Sequence, residues 1–278
     1  MKRPPFSPRR AGLIAGYTFR EAVRQRLLVT LCLVAAVTVG GTLFLRELNF
    51  GSSELKFITD LGLGALTFFG AILAIIAPAQ LFFSDLEHQT MLTVLAKPVS
   101  RTEFIVGKFG GVLLLLAVYC GAMTALVAGL LAGYQTGAIA ARMDGPGLGS
   151  TVFLSGVAVC GLVTWLKLGM VAALTLGVAS YARSGGFAMM AGVVALLACE
   201  LQYLARDFYG QMTTPWARAG VWMLGLALPD FEAFNVSGRV AAGESLSPGQ
   251  LGGLATYALA YMAVFAGLAV YGFRHREL

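Results

Sequence analysis

The chain has 278 residues, of which 58% are hydrophobic and 12% charged, and its mean hydropathy is +0.77. This excludes an ordinary soluble domain, in which about a quarter of the residues are charged, and predicts an all-α, polytopic membrane protein. The formal net charge of +6 does not point to nucleic acid, because the basic residues stand at the ends of apolar runs, where they orient spans.

The first predicted element is an amphipathic helix over residues 8–26. At 100° per residue, Arg9, Arg10, Arg20, Glu21 and Arg24 fall within an arc of about 120°, with Ala11, Ile14, Ala15, Phe19 and Val23 on the remainder. Such a helix is expected to rest on the cytoplasmic leaflet. The first apolar run starts near Leu27, is about 19 residues long and lacks a small-x-small cleavage site, so it reads as a span and not as a secretory signal.

Apolar runs predict six transmembrane helices in one permease domain (1–278), at about 27–45, 58–83, 108–133, 152–180, 187–205 and 251–272. A seventh run, Ala219 to Leu228, is too short at ten residues and is expected at the interface or as a re-entrant turn. Pro78 lies inside the second span, where it removes one backbone hydrogen bond and predicts a kink. The four cysteines, Cys32, Cys120, Cys160 and Cys199, each fall in a different apolar run without CxxC spacing, and read as small buried side chains.

Lys and Arg counts set the orientation. The N-terminal segment, the second and fourth connections and the tail hold 13, whereas the other side holds six: Arg46, Lys56, Arg142, Arg206, Arg218 and Arg239. Both termini are therefore expected in the cytoplasm, for a multi-pass protein of the bacterial inner membrane.

Between the second and third spans the chain reads FFSDLEHQTMLTVLAKPVSRTEFIVGKFGG. Asp85 to Leu95, with apolar Leu86, Met91, Leu92 and Leu95, fits a short amphipathic helix, which Pro98 ends by pushing Lys97 into an extended conformation. Ser100 and Glu103 have the spacing of a capping box and predict that a new helix begins there. Helix, rigid turn and capped helix fit either a well-made hairpin with solvated charges or a docking surface for a cytoplasmic partner.

The order Glu87, Thr90, Leu95, Pro98, Arg101 and Gly107-Lys108 resembles the cytoplasmic signature of ABC-2-type transporter permeases, with Gln89 where that family usually has Gly. The basic amphipathic helix, the six spans, the long segment before the last span and the ending YGFRHREL are similar to the same family, and most of all to its multicopper-enzyme-maturation permease group. The resemblance implies that residues 85–104 form a coupling helix seated in a separate ATPase subunit, with Glu87, His88, Gln89, Thr90, Leu95, Pro98, Arg101 and Glu103 at the contact. It also implies two ATPase copies per complex, a second permease copy or sister permease, ATP and Mg bound on the partner and not on this chain, and export as the usual direction.

Two ionisable residues fall deep within spans, Lys167 and Glu200. Each lies 16.5 positions from the turn centred between Arg183 and Ser184, which in straight antiparallel helices is one depth of roughly 25 Å. Charges there are costly and normally meet a partner or water, so the two are expected to pair if their faces meet; otherwise Lys167 snorkels or lines a wet cavity alone. Contact with substrate is a further reading. In the segment 206–250, Trp216, Trp222, Pro229, Phe231 and Phe234 precede GESLSPGQL, which predicts short helices capping the outer mouth and a last span entered through Ser247-Pro248. The sequon Asn235-Val236-Ser237 matters only in a glycosylating compartment, and none is expected.

Catalysis by this chain is not expected. HExxH and GxSxG are absent, neither His88 nor His275 lies in a span, and Gly107-Lys108 is followed by Phe109 where a P-loop needs Ser or Thr. The rival classes are an ion-coupled secondary transporter, for which no duplicated half is visible, and a non-transporting membrane assembly subunit.

Overall fold

In the computed structural model, residues 7–24, 27–41, 54–87, 100–136, 150–202, 228–241 and 247–275 are described. Among them the chain is all-helical: α1 (Pro8–Arg24), α2 (Leu27–Gly41), α3 (Glu54–Glu87), α4 (Arg101–Thr136), α5 (Ser150–Tyr181), α6 (Gly185–Glu200), a 3-10 turn (Glu232–Phe234), α7 (Ser237–Ala241) and α8 (Pro248–His275).

Four of these are long and apolar enough to cross a membrane: α3 over Ile58–Asp85, α4 over Arg101–Gly133, α5 over Ser155–Tyr181 and α8 over Pro248–Arg274. Helices α1 and α2, bent by 59° relative to one another, meet the same criterion only as a pair, which gives a fifth candidate. Helix α6, at 16 residues, spans about 24 Å, less than a hydrocarbon core of roughly 30 Å. Of the expected spans 27–45 and 187–205, residues 42–45 and 203–205 lie outside the described residues.

Two boundaries differ from the hydropathy reading. Helix α3 continues past residue 83 to Glu87, and α4 begins at Arg101, two turns before residue 108 and where the Ser100/Glu103 capping box predicts a helix start. The Ser100/Glu103 capping box sets the start of α4, and the Asp85–Lys108 pair lies between the two helices near these ends. Asp85 to Glu87 thus form the end of α3, while the rest of the predicted coupling helix, 88–99, lies outside the described residues. Pro78 lies inside α3, as neighbouring helices permit in membrane bundles.

Helix α5 is the central element. In its most apolar window 72% of residues are buried, against 17% for α8, which places α8 at the periphery. Lipid tails are as apolar as leucine, so helices in a bilayer associate by close fit and not by hydrophobic drive. Small residues Ala172, Ala173, Gly177 and Ala179 supply that fit along α5. Polar anchors add to it: the Trp165 indole N–H donates to the Leu113 carbonyl at 3.1 Å, joining α5 to α4, and the Tyr119 hydroxyl donates to the Leu66 carbonyl at 3.2 Å, joining α4 to α3.

The apolar arc of α1 rests on protein. Ala11, Thr18 and Ala22 are buried, Arg9, Arg20 and Arg24 are exposed, and the helix runs alongside the first turns of α4 in parallel register. Gly107 and Gly111 of α4 make the approach possible: a Cβ at Gly107 would lie 2.9 Å from the Ala11 carbonyl oxygen, and one at Gly111 would lie 2.8 Å from that of Ala15. This is the small-x-x-x-small device of close helix pairs.

At the far end of the bundle, Ser247 and Gln250 form a capping box at the start of α8. The Ser247 N–H donates to Gln250 Oε1 at 3.2 Å, and the Gln250 N–H to Ser247 Oγ at 3.3 Å. The Asp230 N–H donates to the Tyr257 hydroxyl at 3.0 Å, and Phe231, Phe234 and Val236 are buried, so residues 228–241 are pinned to the bundle. Trp216, Trp222 and the short run up to residue 227 lie outside the described residues.

Candidate functional site

The two stems of the 88–99 connection meet in a polar clamp. Ser100 caps α4: its Oγ accepts from the Glu103 N–H at 3.2 Å, and Glu103 Oε2 accepts from the Ser100 N–H at 2.8 Å. The other carboxylate oxygen, Oε1, accepts from the Ser7 N–H at 2.6 Å, immediately before α1. A single buried carboxylate therefore satisfies orphan donors at the N-termini of two helices, which lends it both the capping and the dipole interaction twice.

Arg101 closes the opposite kind of terminus. Its guanidinium donates to the carbonyls of Phe273 at 3.3 Å and Arg274 at 2.9 Å, at the end of α8, where unpaired carbonyls concentrate negative charge. Arg274 returns a hydrogen bond to Thr102 Oγ1 at 3.1 Å. Around this exchange the Phe273 ring stacks on Phe104 at 5.9 Å and meets Phe82 edge-on at 6.0 Å, which locks α8, α4 and α3 together.

One turn deeper, Lys108 is 3% exposed and stands 2.6 Å from Asp85 at the end of α3. It also donates to the Leu81 carbonyl. Beside it, the Ser84 hydroxyl donates to Glu21 Oε1 of α1 at 3.4 Å. Burying an ammonium costs several kcal/mol unless a carboxylate and further acceptors receive it, and here both are present.

Of the residues assigned to partner contact, Arg101 and Glu103 sit in this clamp with Ser100, and Glu87 ends α3. His88, Gln89, Thr90, Leu95 and Pro98 lie outside the described residues. The side chains of Arg101 and Glu103 are engaged within the chain, at the end of α8 and ahead of α1 respectively. Sequence reasoning missed Ser7, Asp85, Phe273 and Arg274 as members. A signal for one pairing existed: Asp85 and Lys108 are equidistant from the Ala96–Lys97 bond, 11.5 positions each, the same symmetry that placed Lys167 and Glu200 at one depth.

Lys167 Nζ of α5 stands 2.6 Å from Glu200 Oε1 of α6, with side chains 10% and 39% exposed. The ammonium also lies 5.2 Å from the centre of the Phe231 ring, a cation–π contact from the 228–241 segment. This pair is less deeply buried than Lys108 and Asp85.

Several helices long and apolar enough to cross a membrane, ionic pairs between them, and a polar clamp that ties α4 to α1, α3 and α8 are the framework of a multi-pass membrane protein. The sequence profile of a family described as "ABC-2 family transporter protein" matches residues 13–278, nearly the whole chain. The chain belongs to the ABC-2 transporter family. Members are typically the non-catalytic membrane component and generally work with an ABC ATPase subunit. No curated protein matches the chain.

Proposed function

We propose that the chain is the permease subunit of an ATP-driven exporter, with six transmembrane helices and both termini in the cytoplasm of a bacterial inner membrane. It pairs with a second copy or a sister permease and receives two ATPase subunits, which bind ATP and Mg, on the connection 85–104. The observation that carries this reading is the clamp: Glu103, Arg101 and Lys108 tie the stem of the connection to α1, α8 and α3 respectively. A force applied to 88–99 is thereby delivered to three helices at once. A loop that only joined two spans would need no such bracing.

In this reading, closure of the ATPase subunits displaces the connection, and the clamp converts that displacement into rotation of the bundle around α5. The test is co-purification from membranes in mild detergent. A nucleotide-hydrolysing subunit is expected to accompany the full chain, and replacing His88–Thr90 with Ala is expected to release it while leaving the thermal transition of the permease unchanged. Retention of the ATPase by that variant, or its absence from the wild-type complex, overturns the assignment.

A further inference from the structure

Away from the clamp, a cavity of about 510 Å³ opens between α3, α5 and α6, closed at one end by residues 234–237. Its walls are regular helix faces. On α3 they are Asp60, Gly64, Thr67 and Ala71, and on α5 Thr164, Lys167 and Val171, each set at helical spacing. Leu63, Phe68, Leu168 and Leu196 make most of the surface apolar. The charged groups on it are Asp60, Lys167 and Glu200.

The charge balance selects the ligand. Two carboxylates and one ammonium give the lining a formal charge of −1. Lys167 is already committed to Glu200 and to the Phe231 ring, and is 10% exposed, whereas Glu200 is 39% exposed and Asp60 is exposed. An entering molecule therefore meets carboxylate oxygen before it meets the ammonium. Low-dielectric walls strengthen that preference, an anion is repelled, and a zwitterion gains no net attraction. Phe68, 63% exposed at the cavity, adds an aromatic face for a cation, and the aliphatic lining suits an apolar body.

We propose that this cavity binds an organic monocation with an apolar body, its charge held between Asp60 and Glu200, with Lys167 as the resident counter-ion that sets the net charge. The physiological meaning, a substrate of the exporter, rests on the permease reading; the binding itself does not. The experiment uses the full chain in nanodiscs of phosphatidylcholine, without any ATPase, and follows the fluorescence anisotropy of ethidium, with fluorescein as the anionic counter-probe. Ethidium is expected to bind saturably and fluorescein not. D60N and E200Q each remove one negative charge and are expected to weaken ethidium about tenfold, whereas K167M takes the lining from −1 to −2 and is expected to tighten it by a similar factor.

The opposite sign for K167M separates electrostatic selection from a structural role, since loss of structure weakens binding in every variant. K167Q, compared at matched elution profile and thermal transition, repeats that arm should K167M prove unstable. The proposal is overturned if wild-type protein shows no saturable ethidium signal, if D60N and E200Q bind as wild type does, or if both Lys167 variants bind more weakly while remaining folded. Such a failure leaves the permease assignment standing, because that assignment is decided by ATPase co-purification.

Discussion

Lys108 and Lys167 are both lysines within the bundle, each 2.6 Å from a carboxylate, yet their surroundings give them different energetic weight. Asp85 is 10% exposed and Lys108 3%, so removing one charge takes a counter-charge from the other at a site with little exposure. K108M is expected to destabilise the protein by about 3–5 kcal/mol, and the double variant D85L/K108M to recover most of that, because an apolar pair of similar volume replaces a buried ion pair at little cost. Thermal transitions in detergent measure both; a double variant as unstable as the single one would refute a charge-pair origin. K167M, by contrast, removes the partner of a carboxylate whose side chain is 39% exposed, so a smaller loss than that of K108M is expected in the same measurement. The capping box is a residue-scale feature that sequence spacing alone located, since its hydrogen bonds span three positions and need no tertiary context. Glu103's bond to Ser7 was not legible, because 96 positions separate them and no periodicity connects the two.

Among the elements, α1 shows how a correct pattern acquires its meaning from packing. Its exposed arginines and its inward small residues follow from a 3.6-residue period, which any amphipathic helix displays whether its partner is lipid or protein. The glycines on α4 show that one face of α1 meets protein, since their missing side chains open a groove that the α1 backbone enters. Gly111→Leu is expected to expel α1: its Cβ would lie 2.6 Å from the Thr18 Cβ. Hydrogen exchange checks this, with amides of 8–24 losing protection while those of the central helix α5 keep theirs. Exchange in α1 that matches wild type would show that the contact is dispensable. The span boundaries at α3 and α4 belong here too. A hydropathy profile locates where a helix is apolar, not where it ends; the start of α4 is set by the Ser100/Glu103 capping box.

For the molecule as a whole, the charge asymmetry of the connections yields a definite topology. The clamp end, which holds the end of α8, is expected in the cytoplasm, so a reporter that is active only there, fused after Leu278, is expected to be active; activity of a periplasm-dependent reporter at that position reverses the orientation. The bundle has two polar regions of different burial: a buried one around Glu103 and Lys108, and a more exposed one around Lys167, Glu200 and Asp60.

Composition and apolar run length determined that the protein is a helical membrane bundle, because a lipid solvent leaves the backbone few other options. Local spacing determined the capping of α4, and the symmetry of Lys167 and Glu200 about their turn determined that they share a depth. The signature around residues 87–108 pointed to the ABC-2 family, to which the chain belongs. Only the tertiary structure decided that α5 is the core, that α1 is seated on the Gly107–Gly111 groove, and that one carboxylate serves two helix termini. Those outcomes depend on which faces of distant helices meet, and facing is fixed by the packing of the whole bundle, not by the period of any one segment.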